Sequence, residues 1–157
     1  MSVTTRFVDC PLPEVFALFM NARAYPRWVV GAKAFRGVDE EWPQPGSTFH
    51  HRIGFGPFVI DDQTKLLAVE PPGRVVLEAH AWPAGSAVVE LTLRAVEDGT
   101  EITMQESPSK GMAAALDSPV LRAMTAARNR WGLARVDRIL RHRPDLSTGP
   151  KAREERA

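Results

Sequence analysis

His50-His51, Asp61-Asp62 and Glu106 are the side chains best suited to moving a proton at neutral pH. Imidazole titrates near neutrality, and a carboxylate taken out of water must find a partner or hold its proton more tightly. Each adjacent pair sits in a β-rich stretch, where neighbouring side chains point to opposite faces, so one member of each pair turns inward. Phe49, His51 and Ile53 share a face that is two-thirds apolar, which assigns His51 to the inside as a candidate general base or hydrogen-bond donor. Ile60, Asp62, Thr64 and Leu66 share another face and bring a second acid inward, unless a bulge turns both aspartates out. Glu106 follows Ile102 and Met104 at the strand period and faces inward with them, unless the strand ends there and releases it to water at Ser107-Pro108. His80 alternates with Glu78 and is read as outward. These positions make His51 and Glu106 the candidate catalytic residues, with Asp62 and Met104 among the candidate ligand contacts.

A second group lies near the C-terminus. Thr125 and Asn129 are polar on a helix face that is otherwise apolar, and a buried amide needs partners. Arg128 stands beside that face, where it reaches either Glu106, a ligand anion or a surface carboxylate. Arginine suits carboxylate pairing because its donors form a planar fork. Trp28, Trp82 and Trp131 are large rings with one polar atom, suited to a ligand mouth or to packing. Trp131 is carried forward as a ligand contact. Phe55 and Phe58 flank a turn, Gly54-Phe-Gly-Pro57, and Gly111-Met-Ala-Ala-Ala-Leu116 is small and apolar. Both segments suit a gate over a cavity or packing against a neighbouring subunit, which leaves a homodimer open. Cys10, next to Pro11, reads as a buried structural thiol.

The elements that must hold these residues follow from the pattern. Residues 3–9 form a strand, and Pro13 opens a short helix carrying Val15, Phe16, Leu18 and Phe19. A second short helix covers 21–28 and must accommodate Pro26 at its start or at a kink. From Ala34 to Glu106, strands at 47–53, 58–70, 74–82, 86–96 and 100–107 alternate with Pro/Gly turns and the Asp98-Gly99 hairpin signal. Short turns make the strands antiparallel. Ala87, Val89, Leu91 and Leu93 oppose Glu90, Thr92 and Arg94, so one face of the sheet is dry. Residues 119–142 form the helix that covers it, capped by Ser118 with Pro119 at the first position, about 36 Å long. Thr125, Asn129, Gly132, Leu133, Val136 and Leu140 make its inward face. Val120, Met124, Ala127 and Trp131 make a second strip, and Arg130, Asp137, Arg138 and Arg141 lie away from the first face. Residues 1–143 are read as one domain and 144–157 as a disordered polar tail.

Composition sets the outer limits. The chain has 157 residues, 44% hydrophobic and 25% charged, with a net charge of +1, the profile of a globular domain that needs no staple. A single cysteine excludes an internal disulfide framework, and no zinc-type spacing is present. No apolar run approaches about 20 residues, and no signal peptide opens the chain, so a cytoplasmic location is expected. Charge is lopsided: residues 1–118 hold 10 Lys/Arg against 15 Asp/Glu, and residues 119–157 hold 10 against 4. A basic C-terminal segment suits an anionic partner or a solvated helix face. No phosphate loop, dinucleotide fingerprint, nucleophile elbow or His-Glu-x-x-His is found, so kinase, dehydrogenase and hydrolase readings lack support. No cofactor, metal or nucleic-acid partner is expected, and no membrane insertion.

The order of strand, two short helices, a meander of about six strands and a long helix resembles the START-like (SRPBCC) superfamily of helix-grip domains, especially its bacterial polyketide cyclase/dehydrase-type members. Phe7-Val-Asp-Cys-Pro-Leu-Pro-Glu-Val-Phe16, Tyr25-Pro-Arg-Trp28, Val69-Glu-Pro-Pro-Gly-Arg-Val-Val-Leu77, Gly99-Thr-Glu-Ile-Thr-Met104 and Arg128-Asn129 carry the resemblance, which spans about residues 3–142. It implies an α+β helix-grip fold, a curved antiparallel sheet around the last helix, with a cavity between them for a lipid, sterol, polyketide or aromatic metabolite. Some superfamily members are carriers, some are cyclases, and some activate a chaperone ATPase. The expected function is therefore binding of a hydrophobic or aromatic small molecule. A cyclase/dehydratase using His51 or Glu106, with Arg128 or Asn129 on a carbonyl oxygen, is the first alternative. A protein-interaction module acting through the basic helix is the second.

Overall fold

The computed structural model describes residues 1–81, 85–111 and 118–142. Trp82, most of the 111–116 segment and the tail from 143 onward, all singled out above, lie outside the described residues. The chain runs β1 (Ser2–Val8), α1 (Leu12–Met20), a 3-10 turn (Ala22–Ala24), α2 (Tyr25–Trp28), β2 (Ala32–Val38), β3 (Thr48–Phe55), β4 (Phe58–Glu70), β5 (Arg74–Ala81), β6 (Gly85–Val96), β7 (Gly99–Lys110) and α3 (Pro119–Arg141). The seven strands form one curved antiparallel sheet in the order β1-β7-β6-β5-β4-β3-β2. Every hairpin joins sequential neighbours, and only the return of β7 to β1 is non-local.

Local chemistry explains the boundaries. Pro13 occupies the first turn of α1, and Pro26 that of α2, where a missing N–H costs no helical bond. Ser118 Oγ accepts from the Leu121 amide at 3.1 Å, the N-cap expected for α3. β2 carries two register shifts against β3, which break the alternation that would have marked it in sequence. β7 continues past Ser107-Pro108 to Lys110. It can do so because β1 ends opposite Glu106 at Ser2, so beyond that pair one edge of β7 is unpaired and a proline is tolerated.

The apolar core lies between the sheet and the helices. Val15 and Leu18 of α1, Leu91 and Ile102 of the sheet, and Leu133 and Val136 of α3 are all fully buried. α1 sits on β6 and β7, while α3 runs along β1 and against α2. Gly132 makes the last contact close: a Cβ there would lie 3.2 Å from the Trp28 carbonyl oxygen. Asp137, read from sequence as lying away from the inward face, is buried. Its carboxylate accepts from Arg6 of β1 at 2.8 Å and from Arg141 at 2.8 Å. Burial alone would raise its pKa, but the two guanidinium groups outweigh it and hold the carboxyl below its ordinary value. The ion pairs give the charge a reason to sit at the helix–sheet seam.

Candidate functional site

On the N-terminal side of Gly132 the helix stands off the sheet and encloses a cavity of about 700 Å³. Its floor comes from β3 to β7, its roof from α3 and its end wall from α2. The strand alternation turns Ile53, Leu77, Val89 and Met104 into it, so most of its lining is apolar. Phe55 and Phe58 rim it from the β3–β4 turn, 77% and 81% exposed, and therefore sit at its mouth rather than in its interior.

Polar groups meet at two places. In the first, Glu106 of β7 faces α3. One guanidinium nitrogen of Arg128, Nη2, donates to Glu106 Oε1 at 2.6 Å and to Oε2 at 2.5 Å. Asn129 Nδ2 donates to Oε2 at 3.0 Å, and Asn129 Oδ1 accepts from Arg128 Nη2 at 3.3 Å. Glu106 and Asn129 are buried, whereas the Arg128 side chain is 44% exposed and lines the cavity beside them. Thr125 lies one turn before Asn129 on the same cavity wall.

The second place is the β3–β4 wall. His51 is 1% exposed, and its Nε2 lies 3.0 Å from Thr64 Oγ1. Thr64 in turn donates to the Tyr25 hydroxyl at 3.4 Å, and His51 Nδ1 is buried without a partner. Tyr25 is buried with its ring centroid 4.8 Å from that of His51. Burial, and secondarily the neighbouring His50, pulls the His51 pKa down to about 4, so the ring is neutral at pH 7. Burial pushes the Tyr25 hydroxyl up.

The structure thus brings Glu106, Thr125, Arg128, Asn129 and Met104 together around one cavity, with His51 in its far wall and Phe55 on its rim. It does not unite His51, Asp62 and Glu106 into an acid/base cluster. Asp62 pairs in register with His51, yet it does not line the cavity. Its Oδ1 turns back to the Gln63 amide at 2.7 Å, while Oδ2 is buried without a partner and burial raises the carboxyl pKa. Trp131 does not line the cavity either. It falls two residues from both Asn129 and Leu133, nearly opposite the inward face at 100° per residue, and is 66% exposed. Val120 and Met124 of the same strip are 69% and 65% exposed. His80, read as outward, is half-buried and is among the residues that line the cavity, with its Nδ1 3.3 Å from the Gln63 carbonyl oxygen, just past the last β4–β5 pair, Thr64–Ala79. Cys10 is buried and its Sγ donates to Glu14 at 3.2 Å. Tyr25 and Thr64 were missed as site residues. Tyr25 is the chain's single tyrosine, and its place beside Trp28 in a helix-start motif was the available signal.

A curved antiparallel sheet closed by a long C-terminal helix, with short helices after the first strand, defines the helix-grip class of the START-like superfamily. Within it, the chain belongs to the family described as Activator of Hsp90 ATPase homolog 1-like protein, whose model matches residues 9–131. Among solved structures it is similar to protein CV1439 from Chromobacterium violaceum, at 14% identity and a TM-score of 0.69, over 91% of this chain and 97% of that one. It is similar also to DynU16, a putative protein of the dynemicin biosynthetic locus, at 18% identity and a TM-score of 0.68, over 90% of this chain and 47% of that one. The di-domain ARO/CYC BexL of the BE-7585A biosynthetic pathway matches at 17% identity and a TM-score of 0.66, over 90% of this chain and 50% of that one. At these identities the likeness is one of fold. No curated protein matches the sequence. Among the described residues, no helix is long and apolar enough to cross a membrane.

Proposed function

We propose that this protein binds a hydrophobic or aromatic small molecule between the sheet and the N-terminal half of α3, as a carrier or sensor. The observation that carries the reading is the cavity of about 700 Å³ with a mostly apolar lining, a volume within the range of drug-sized ligand sites. Two exposed phenylalanines at its mouth suit the passage of an apolar guest. Chemistry in the cavity, of the cyclase/dehydratase kind, is less well supported. Glu106 is already held by Arg128 and Asn129, and His51 is bound to Thr64 and neutral, so neither is poised to take a proton from a substrate. The test is native mass spectrometry of the purified protein with organic extraction of what co-purifies. Retention of an apolar compound, lost in Val89→Trp, is the expected result. A clean apo mass and no thermal shift across a panel of apolar ligands would overturn it.

A second reading rests on the outer face of α3. Val120, Met124 and Trp131 form an exposed apolar strip, with the exposed Arg130, Arg135 and Arg138 around and beyond it. Such a strip suits a contact with an acidic protein surface, and the family description names an activator of a chaperone ATPase. Binding of that kind weakens with added salt and on replacing those arginines, whereas cavity binding does not.

A further inference from the structure

The Glu106–Arg128–Asn129 group constrains what the cavity can accept, and the inference drawn from it rests on the small-molecule reading above. Both Glu106 oxygens are occupied as acceptors, Oε1 by Arg128 Nη2 and Oε2 by Arg128 Nη2 and Asn129 Nδ2. Asn129 Oδ1 is also occupied, again by Arg128 Nη2. A single guanidinium nitrogen makes all the Arg128 bonds. Among the described residues, no acceptor meets Arg128 Nε or Nη1, and the side chain is 44% exposed where it lines the cavity. Each acceptor of the group already takes at least one bond from inside it, while Arg128 Nε and Nη1 keep donors that no described acceptor meets. The charges of Glu106 and Arg128 cancel, so the group as a whole is neutral.

We infer that this end of the cavity selects ligands whose apolar body ends in an uncharged hydrogen-bond acceptor, a ketone, quinone or amide carbonyl, which accepts from Arg128. A hydrocarbon of the same shape offers those donors no acceptor in place of the water it displaces from the cavity side of Arg128. A carboxylate brings a net negative charge to a group whose one cation is already neutralised by a buried carboxylate. The far wall does not impose the same choice, since His51 Nδ1, though unpartnered, is covered from solvent.

Three matched probes test this: 2-acetylnaphthalene, 2-ethylnaphthalene and 2-naphthoic acid, titrated by calorimetry at pH 7.5. The ketone is expected to bind roughly tenfold or more tightly than the hydrocarbon, the scale of one hydrogen bond from a charged donor, and more tightly than the acid. In Arg128→Met, which carries no donor, the ratio of ketone to hydrocarbon affinity falls to within about twofold. Because that change strands Glu106, the double variant Glu106→Leu/Arg128→Met, which leaves no unpaired charge and no new donor, is measured beside it and is expected to show the same loss. Equal binding of ketone and hydrocarbon overturns the carbonyl preference while the cavity reading stands. Tightest binding of the acid shows that Arg128 acts as an unneutralised cation and also overturns it. Failure of all three probes, with a clean apo mass on extraction, overturns the cavity reading itself.

Discussion

The two halves of α3 face the same sheet and do opposite things. After Gly132 the inward positions are Leu133 and Val136, both fully buried in the apolar core. Before it they are Leu121, Thr125 and Asn129, which line the cavity. The hinge between the two is Gly132, which lets the helix touch the Trp28 backbone. On one side of that contact the helix seals; on the other it stands off. Where the interface is solid its inward residues are mainly aliphatic, with the buried Asp137 held by Arg6 and Arg141, and where it is hollow they include the polar Thr125 and Asn129. The difference supports the proposal that the cavity is a built site rather than a packing defect. A void formed by chance in an apolar seam would be lined on the helix side by the same aliphatic side chains as the rest.

The largest expected effect tests that contrast directly. Leu133→Ala removes a fully buried side chain from the solid half and should lower the unfolding free energy by about 3–5 kcal/mol. Leu121→Ala makes the same chemical change on the same helix where the side chain borders the cavity, and should cost about 1 kcal/mol or less. Urea titration of both variants at pH 7.5 provides the measurement. Equal losses would mean that the space under the first half of α3 is filled in solution.

The wall of the hollow half carries an acid sensitivity of its own. His51 has a folded pKa of about 4 because it is buried, well below its ordinary value of 6.5. As pH falls, the unfolded chain takes up the proton first, so the stability linked to neutral His51 is whole above about pH 6.5 and is lost toward pH 4. The full loss is about 3 kcal/mol. Asp137, held below its ordinary value by Arg141 and Arg6, adds a loss of the same sign only at lower pH, and Asp62, raised by burial, has the opposite sign. Comparing the wild type with His51→Gln at pH 7.5 and pH 4.5 removes both from the difference. The variant should lose less stability across that span, and an identical loss would show that His51 is not buried neutral.

Smaller again is the pin on the solid half. Asp137→Asn weakens the bonds from Arg6 and Arg141 that tie the end of α3 to β1. Both arginines are substantially exposed, so the cost should be about 1–2 kcal/mol rather than that of a sealed ion pair. Amide exchange near the end of α3 should quicken, while exchange around Thr125 is unchanged.

Legibility in the sequence followed this same division. The strands with clean alternation, their turns, the Ser118 cap and the aliphatic face of α3 were readable because each rests on local pattern and period. The inward direction of His51 and Glu106 was readable for the same reason. What needed three dimensions was partnership. Asp62 shares the inward face but turns to the amide of the next residue, Gln63, and His80 lines the cavity although its alternation with Glu78 pointed outward. Asp137 is buried only because β1 supplies Arg6 from 131 positions away. Nothing in local period separates an apolar helix strip that packs from one that is exposed, so the outward side that Trp131 takes was not legible.

That outer strip gives the smallest expected effect. Met124→Ser and Trp131→Ser remove side chains that are 65% and 66% exposed, so each should change the unfolding free energy by no more than about 0.5 kcal/mol. The halves of α3 differ on the inside, but outside they carry one continuous surface, with Met124 over the hollow part and Trp131 beside Gly132. If either substitution destabilises the protein by much more, something covers the strip in solution. Sedimentation at several protein concentrations then distinguishes a second copy of the chain, whose dissociation the serine variants would promote, from a packing role within one chain. A neutral result leaves α3 with one structural face and one face free to meet a partner, which is the condition the interaction reading requires.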